Sequence, residues 1–437
     1  MISSIILFAI CYIFIATEKV DKTITVIIGA SLMVAFHLVS YESALAKIDL
    51  NVIFLLIGMM MIVNILASTG LFEWIAIVVA QKARGSGPRL LLLLCLVTAV
   101  LSAFLDNVTT ILLIAPVTIL ITQLLEIPTV PFLIFEAICS NIGGTGTLIG
   151  DPPNILISSQ SHLTFNDFLL HLGPAALVIL IVVLIIQYTW FSKQFTVTEK
   201  ARERINAACP ELAIIHPRRL KQALIVLGFV FLGFFTGHVI HIETGIIALG
   251  GAMVMALVCR INLHEGLAKV EWNTILFFVG LFMMVGALEE NGVFELLGRH
   301  LVTLTGGNLM LTCFAILWFS AIASACVDNI PLVISIIPII QTIIPEFAAE
   351  LQVVADSPAA HTGIAQPLYW SLALGACLGG NGSLIGASAN VVVSQIAARN
   401  NYRMGFMAFT RVGFPIMIAS VAIANVYVYL RYFLLRA

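Results

Sequence analysis

Charged residues are scarce in this sequence, and their scarcity excludes several classes of protein. Only 10% of its 437 residues are charged and 60% are hydrophobic, whereas soluble domains contain about 25% charged and about 45–50% apolar residues. A disordered chain or an ordinary cytosolic enzyme would carry far more charge. The 21 basic and 23 acidic residues nearly cancel, so no basic surface is available for a nucleic acid. An integral membrane protein remains, and this length can hold about ten apolar spans.

Motifs of enzymes, cofactor sites and signal peptides are also lacking. The sequence contains no Walker A, HExxH or Ser/His pattern, so we expect neither an enzyme nor a cofactor. Its eight cysteines show no CxxC spacing and are interpreted as packing residues, although Cys139 and Cys326 lie near helix breaks where a thiophilic solute could bind. Residues 2–16 lack a basic n-region and a cleavage site, so we expect a first span there rather than a removed signal.

An internal repeat organises the chain. Leu50 to Gly58 resembles Trp272 to Gly280 at an offset of 222 residues, and Asp106-Asn107 falls on Asp328-Asn329 at the same offset. Such ordered self-similarity indicates two related halves.

A second pair of matched segments is rich in glycine. Gly143 to Gly150 matches Gly379 to Gly386 at an offset of 236, and Asn154 matches Asn390. Glycine lets a helix unwind and lets the backbone approach a ligand closely, and Pro152-Pro153 ends the first unwound stretch. Close packing of helices through small residues is the alternative explanation.

The positions of lysine and arginine predict the topology. If each Asp-Asn segment is a re-entrant hairpin and each glycine-rich segment is a broken, crossing helix, each half crosses five times and the halves are inverted. With the linker in the cytoplasm, 17 of the 21 basic residues lie inside, as the positive-inside rule requires. We therefore predict an all-α polytopic protein of the inner membrane with about ten spans, two hairpins, two broken helices and both termini outside. The first repeat is 1–192, the basic cytoplasmic linker is 193–217, and the second repeat is 218–437.

Inverted repeats with paired broken helices are typical of secondary transporters. A carboxylate at a helix centre costs about 2.5–3.5 kcal/mol, so we predict that Asp106 and Asp328 bind a proton or Na⁺, with helix capping as the alternative. Asp151 has Ala387 as its repeat partner, and it is either a single proton-coupling group or an N-cap. The predicted substrate- or ion-binding residues all lie at or beside the four breaks: Asp106, Asn107, Thr109, Asn141, Gly143, Gly144, Thr145, Thr147, Asp151, Asn154, Asp328, Asn329, Gly379, Gly380, Asn381, Ser383 and Asn390.

Two motifs, Ala103 to Thr110 and Ser140 to Asn154, resemble the ArsB/NhaD permeases of the ion-transporter superfamily, and most closely the branch that contains the melanosomal P protein. The resemblance implies a scaffold, a mobile transport domain, an elevator-type motion and a homodimer. It places the hairpin tips at Asp106-Asn107 and Asp328-Asn329, where the related dicarboxylate symporters carry serine instead of aspartate. Two intramembrane carboxylates argue against a dianionic substrate and suit a cation, a proton or undissociated arsenite.

These observations predict a proton-coupled antiporter that exports arsenite or antimonite by alternating access. The alternative is a Na⁺/H⁺ antiporter. A third possibility is an anion or dicarboxylate transporter or a channel. The expected partners are a small inorganic solute, H⁺ or Na⁺, membrane lipid and a second copy of the chain. A soluble ATPase subunit could attach at the linker, and no nucleic acid is expected.

Overall fold

The computed structural model describes residues 2–17, 20–161, 163–191, 203, 209–355 and 357–435. These residues form helices and contain no strand. The helices of the first half are α1 (Ile2–Thr17), α2 (Lys22–Ala35), α3 (Tyr41–Ala46), α4 (Leu50–Ala67), α5 (Leu71–Lys82), α6 (Gly87–Phe104), α7 (Asn107–Leu124), α8 (Val130–Thr145), α9 (Pro152–Ser161), α10 (Phe165–His171) and α11 (Gly173–Phe191).

The second half repeats this order of elements. Its helices are α12 (Pro217–Ile240), α13 (Thr244–Val258), α14 (Leu263–Ala268), α15 (Trp272–Glu290), α16 (Val293–Leu304), α17 (Leu309–Cys326), α18 (Asn329–Glu350), α19 (Gln366–Gly379), α20 (Ser388–Arg399) and α21 (Phe406–Tyr429). Short turns of helix, Pro358–Ala360 and His361–Ala365, lead into α19.

Short polar side chains begin several of the apolar helices. Asp21 accepts hydrogen bonds from the amides of Thr23 and Ile24 at 2.9 and 3.1 Å, and Asp49 caps α4 in the same way. Because hydrocarbon offers no water to unpaired amides, each cap stabilises its helix by roughly 0.5–2 kcal/mol.

Four helices, α2, α4, α13 and α15, form a scaffold in which the two halves interlock. The hydroxyl of Thr23 donates to the carbonyl of Asn273 at 3.0 Å, so α2 and α15 begin side by side. The amide of Gly245 donates to Asn51 Oδ1 at 2.7 Å, so α13 and α4 begin side by side as well.

The end of α4 lies beside the start of α15, because Asn64 Nδ2 donates to the carbonyl of Lys269 at 3.1 Å. Helix α2 therefore begins at one end of the bundle and α13, its repeat partner, begins at the other. This opposite orientation is the inversion that the charge pattern predicts.

Each half contains one helical hairpin, α6–α7 or α17–α18. The chain reverses at Leu105-Asp106 and at Val327-Asp328, where the backbone is extended. One arm of each hairpin packs on the broken helix of its own half. A side chain at Gly379 would meet the backbone of Ala321 at 2.5–2.9 Å, so glycine permits this close packing.

The broken helices are α8–α9 and α19–α20, and an asparagine satisfies each break. Asn154 Nδ2 donates to the carbonyls of Gly144, Thr145 and Thr147 at 3.3, 3.2 and 2.8 Å. Asn390 Nδ2 donates to the carbonyls of the matching segment, those of Gly380 and Ser383, at 2.8 and 2.9 Å. Irregular backbone at membrane depth is tolerated when its polar groups are paired in this way.

The predicted fold class is confirmed by these elements. Nine of the described helices are long and apolar enough to cross a membrane, and four of the nine are the hairpin arms. Shorter apolar helices, α1, α2, α8 and α13, complete the bundle. Most of the predicted linker lies outside the described residues. Its described end contains a short turn, Pro210–Ala213, that packs on α5.

Candidate functional site

A cavity of about 520 Å³ lies where the two hairpin tips face the scaffold. It extends to the end of the bundle where α2 and α15 begin, since Thr23 and Asn273 are part of its wall. Its charged lining residues are Asp21, Lys22, Asp106, Asp151, Glu271 and Asp328. Among the described residues, five carboxylates against one ammonium group give the lining an excess of negative charge, which favours a cation over an anion.

Asp151 joins the two hairpin tips. Its side chain is fully buried, and Oδ1 accepts hydrogen bonds from Asn107 Nδ2 at 3.2 Å and from Asn329 Nδ2 at 3.4 Å. Within the described part of the chain, no N–H or O–H group donates to Asp151 Oδ2, and the thiol of Cys377 lies against the carboxyl group. A buried carboxylate oxygen without such a donor is costly, and a proton or a small cation would relieve that cost.

A chain of amides sets the orientation of Asn107. Its Nδ2 also donates to Asn141 Oδ1 at 3.0 Å, and Asn141 Nδ2 in turn donates to Asn381 Oδ1 at 2.9 Å and Asn390 Oδ1 at 3.1 Å. Asn107 Oδ1 is left without a hydrogen-bond partner among the described residues. The first tip and the α8–α9 break beside it therefore present two oxygens without an N–H or O–H donor, one from Asn107 and one from Asp151. Such oxygens are the ligands that hard cations prefer.

Asp106 caps α7 and lines the cavity. Its Oδ1 accepts from the amide of Thr109 at 2.8 Å, and its Oδ2 accepts from the hydroxyl of the same residue. The capping explanation thus describes a real contact, but the carboxylate also faces the cavity.

Asp328, at the second tip, has a different set of partners. Its Oδ1 caps α18 through the amide of Ile330 at 3.3 Å. Its Oδ2 accepts from Lys22 Nζ at 2.7 Å and from Ser388 Oγ at 2.9 Å. The two tips are equivalent in sequence and in fold, but only the second carries an ion pair among the described residues.

The other predicted site residues lie outside the cavity lining and form its framework. The hydroxyls of Thr145, Thr147 and Ser383 donate to the carbonyls of Asn141, Ala103 and Ala325. Four glycines pack against backbone: Gly143, Gly144, Gly379 and Gly380. Together with Asn154 and Asn390, these residues position Asp151 and the tip asparagines, and their direct contact with a solute stays a prediction.

Sequence reasoning missed several polar residues of the cavity wall, Lys22, Glu271, Ser388 and Gln395 among them. For Glu271 the sequence did contain a signal. The repeat offset of 222 pairs Glu271 with Asp49, so both halves carry a carboxylate directly before the equivalent helix. Lys22 is one of the 17 basic residues that the predicted topology places inside, and the charge pattern by itself indicates no role for it in the cavity.

One thiol lies behind the cavity lining: the buried Cys377 donates to Asn154 Oδ1 at 3.6 Å and lies against the carboxyl group of Asp151. The cavity lining that the structure describes includes no cysteine. Cys139 is buried elsewhere and Cys326 is exposed. Among the described residues no group of three or more His, Cys, Asp and Glu could hold a metal ion. The predicted Na⁺ near Asp106 or Asp328 would need amide and carbonyl oxygens as further ligands.

Comparisons with known proteins agree with this architecture. Residues 12–362 match the CitMHS family, whose description is citrate transporter. An uncharacterized transporter of Mycobacterium tuberculosis is 42% identical over 99% of both chains. The P protein of Homo sapiens is 32% identical over 95% of this chain and 58% of its own length. The structure of the YdaH transporter of Alcanivorax borkumensis, with 12% identity, covers 90% of this chain and 88% of its own at a TM-score of 0.58.

These findings decide the class of the protein. The predicted relationship to the P protein is confirmed, and membership of the ArsB/NhaD permeases stays a prediction. The relatives named as transporters agree with the expectation that the chain is a transporter rather than an enzyme. The chain belongs to the CitMHS family and is a multi-pass membrane transporter.

Proposed function

We propose that the protein is a secondary antiporter that exchanges Na⁺ for H⁺ at the first hairpin tip. The observation that carries the proposal is the fully buried Asp151, whose Oδ2 has no N–H or O–H donor among the described residues. In its ionised form this carboxylate binds Na⁺ together with Asn107 Oδ1 and the charge of Asp106. In its protonated form it does not, so the two ions exclude each other and exchange when the site faces opposite sides in turn.

The charge of the cavity supports a cation as the substrate. Two like charges 4 Å apart repel by about 4 kcal/mol at an effective dielectric constant near 20. A free tricarboxylate would meet five acidic lining residues and only one basic residue. Arsenite or antimonite, the first substrate predicted from the sequence, would be expected to use thiols. No described residue of the lining is a cysteine, and Cys377, which is buried against Asp151, could supply only one thiol.

The proposal includes an elevator-type motion. The cavity separates the scaffold helices from the hairpins and broken helices, which is the boundary along which such a motion would occur. An inner-membrane location, outside termini and a soluble ATPase subunit at the linker are further parts of the proposal, taken over from the sequence. A homodimer is a further part, taken over from the family resemblance.

Proteoliposomes that contain a pH-sensitive dye test the proposal. A proton gradient is imposed, and Na⁺, Li⁺, arsenite or citrate is then added in turn. We expect Na⁺ or Li⁺ to release protons with the wild-type protein and with Asp167→Asn, which alters a helix-capping carboxylate of α10 away from the cavity. We expect Asp151→Asn to abolish this release.

Two results would overturn the proposal. Proton movement with arsenite or citrate, while Na⁺ and Li⁺ have no effect, would assign a different substrate. Normal Na⁺-linked proton release by inserted, folded Asp151→Asn would remove Asp151 from the exchange.

A further inference from the structure

The second hairpin tip holds a cation that belongs to the protein. Lys22 Nζ lies 2.7 Å from Asp328 Oδ2 and 3.0 Å from Ser388 Oγ, and 5.1 Å from the centroid of the Phe277 ring. A carboxylate, a hydroxyl and an aromatic face thus surround one ammonium group, which has three N–H donors.

The first tip lacks this arrangement. The repeat offsets place Thr244 at the position of Lys22, and Pro152 at the position of Ser388. Asp106 forms hydrogen bonds only within its own helix, to Thr109, and has no ion pair among the residues that the structure describes. One of two equivalent carboxylates is therefore neutralised by the chain itself and the other is not.

We propose that Lys22 Nζ replaces an exchangeable cation at the second tip, so that the transporter exchanges a single cation per protomer, at the first tip. The inference rests on the proposed Na⁺/H⁺ exchange. In the conformation that the structure shows, Lys22, which belongs to α2 of the scaffold, occupies the second tip, whereas the site at Asp151 and Asp106 has no such covalently attached occupant among the described residues. Removal of the ammonium group would leave Asp328 and Ser388 Oγ as ligands for a second Na⁺.

Substitution of Lys22 tests this assignment through stoichiometry rather than rate. The full chain is placed in lipid nanodiscs, and radioactive sodium bound per protomer is measured at equilibrium, together with the Na⁺ dependence of transport. The wild type is expected to bind one Na⁺ with a Hill coefficient of about one, whereas Lys22→Gln should bind two, with a coefficient rising toward about two, since the coefficient is limited by the number of sites.

A matched control comes from the other described lysine–carboxylate pair. Lys47 Nζ lies 2.7 Å from Glu289 Oε1, and neither residue lines the cavity. Lys47→Gln removes an ion pair of the same length and should leave one bound Na⁺. Lys22→Arg keeps the positive charge and should also leave one.

The outcomes separate this inference from the proposed function. Absence of Na⁺ binding and Na⁺-linked transport in the wild type would remove the proposed function itself. One bound Na⁺ in folded Lys22→Gln would overturn only the role of Lys22. If that variant does not fold, Lys22→Met provides the second test, because it also removes the ammonium group but keeps an unbranched side chain beside Phe277. It should bind two Na⁺, and one bound Na⁺ would overturn the inference.

Discussion

Asp49 and Glu271 begin equivalent helices, α4 and α15, yet only one of them is held by the broken helix of its own half. Asp49 Oδ2 accepts hydrogen bonds from the hydroxyl of Ser159 and, at 3.1 Å, from Gln160 Nε2. Among the described residues, Glu271 Oε2 accepts from the hydroxyl of Thr274 in its own helix, at 3.2 Å, and from no residue of the broken helix. Glu271 lines the cavity.

This difference shows how the two ends of the bundle are arranged. The repeat partner of Ser159 is Gln395, which lines the cavity together with Glu271. One end is therefore closed by contacts of Asp49, and the equivalent contacts at the other end are open. In the topology predicted from the basic residues, the open end is the cytoplasmic one. Alternating access would then exchange the two arrangements, so that Glu271 meets Gln395 when Asp49 releases Ser159.

The largest expected effect comes from locking the closed end. Asp49→Cys with Ser159→Cys, in a background where the exposed Cys209 and Cys326 are serines, should form a disulfide because the two side chains are in contact. Oxidation should stop transport, and reduction should restore it.

The control for this lock is a pair within the scaffold. Lys47→Cys with Gly286→Cys links α15 to the loop before α4, because a Cβ at position 286 would lie 3.1 Å from Lys47 Cβ. Both segments stay in the scaffold, so oxidation should leave transport unchanged. Full transport by protein that is verified as cross-linked between positions 49 and 159 would refute the exchange of the two ends.

The second largest effect is expected when substitutions at the two hairpin tips are compared by their apparent affinity for Na⁺. Asp106→Asn should raise the Na⁺ concentration for half-maximal exchange by about tenfold to a hundredfold, each factor of ten corresponding to about 1.4 kcal/mol, because an unpaired negative charge leaves the site. Lys22→Gln combined with Asp328→Asn, which removes the ion pair of the second tip as a unit, should change it far less, since the net charge of the cavity stays the same. Equal effects, measured by Na⁺ titration in proteoliposomes, would mean that the tips act alike, as the sequence by itself predicts.

Equivalent substitutions at the two helix breaks should have equal effects on the stability of the protein. Asn154→Ala and Asn390→Ala each leave buried carbonyls of the break without their side-chain donor. Each substitution should lower the free energy of unfolding by about 1–3 kcal/mol. The two variants should therefore show similar decreases in melting temperature in detergent. A large effect in only one half would show that the symmetry of the breaks does not extend to their energetics.

The smallest effect is expected at the open end. Glu271→Gln removes one negative charge from the wall of the cavity but leaves the ion site at Asp151 in place. Because a partly solvated charge at a distance is screened, the apparent affinity for Na⁺ should fall by only about two- to threefold. A loss as large as that of Asp106→Asn would make Glu271 a direct ligand.

Local patterns in the sequence predicted much of the fold and part of the site. Asp106-Asn107 and Asp328-Asn329 lie at hairpin tips because a polar pair interrupts an apolar segment and forms a cap, which requires only neighbouring residues. The glycine-rich breaks were predicted for the same reason. The roles of Asn154 and Asn390 as donors to the broken backbone also act over ten residues or fewer.

Which carboxylate remains available to a cation could not be predicted in this way. Lys22 and Asp328 are separated by 306 residues, and Asp151 reaches Asn329 over 178. Such pairs form only when the halves interlock in opposite orientations. No local sequence pattern indicates that these residues come into contact. Hydropathy, charge bias and the repeat by themselves determined a polytopic transporter with paired breaks, because membrane insertion acts on segments. The tertiary structure decided that one tip carries its own ammonium group while the other meets a buried oxygen without an N–H or O–H donor, because side chains from distant segments meet only after packing.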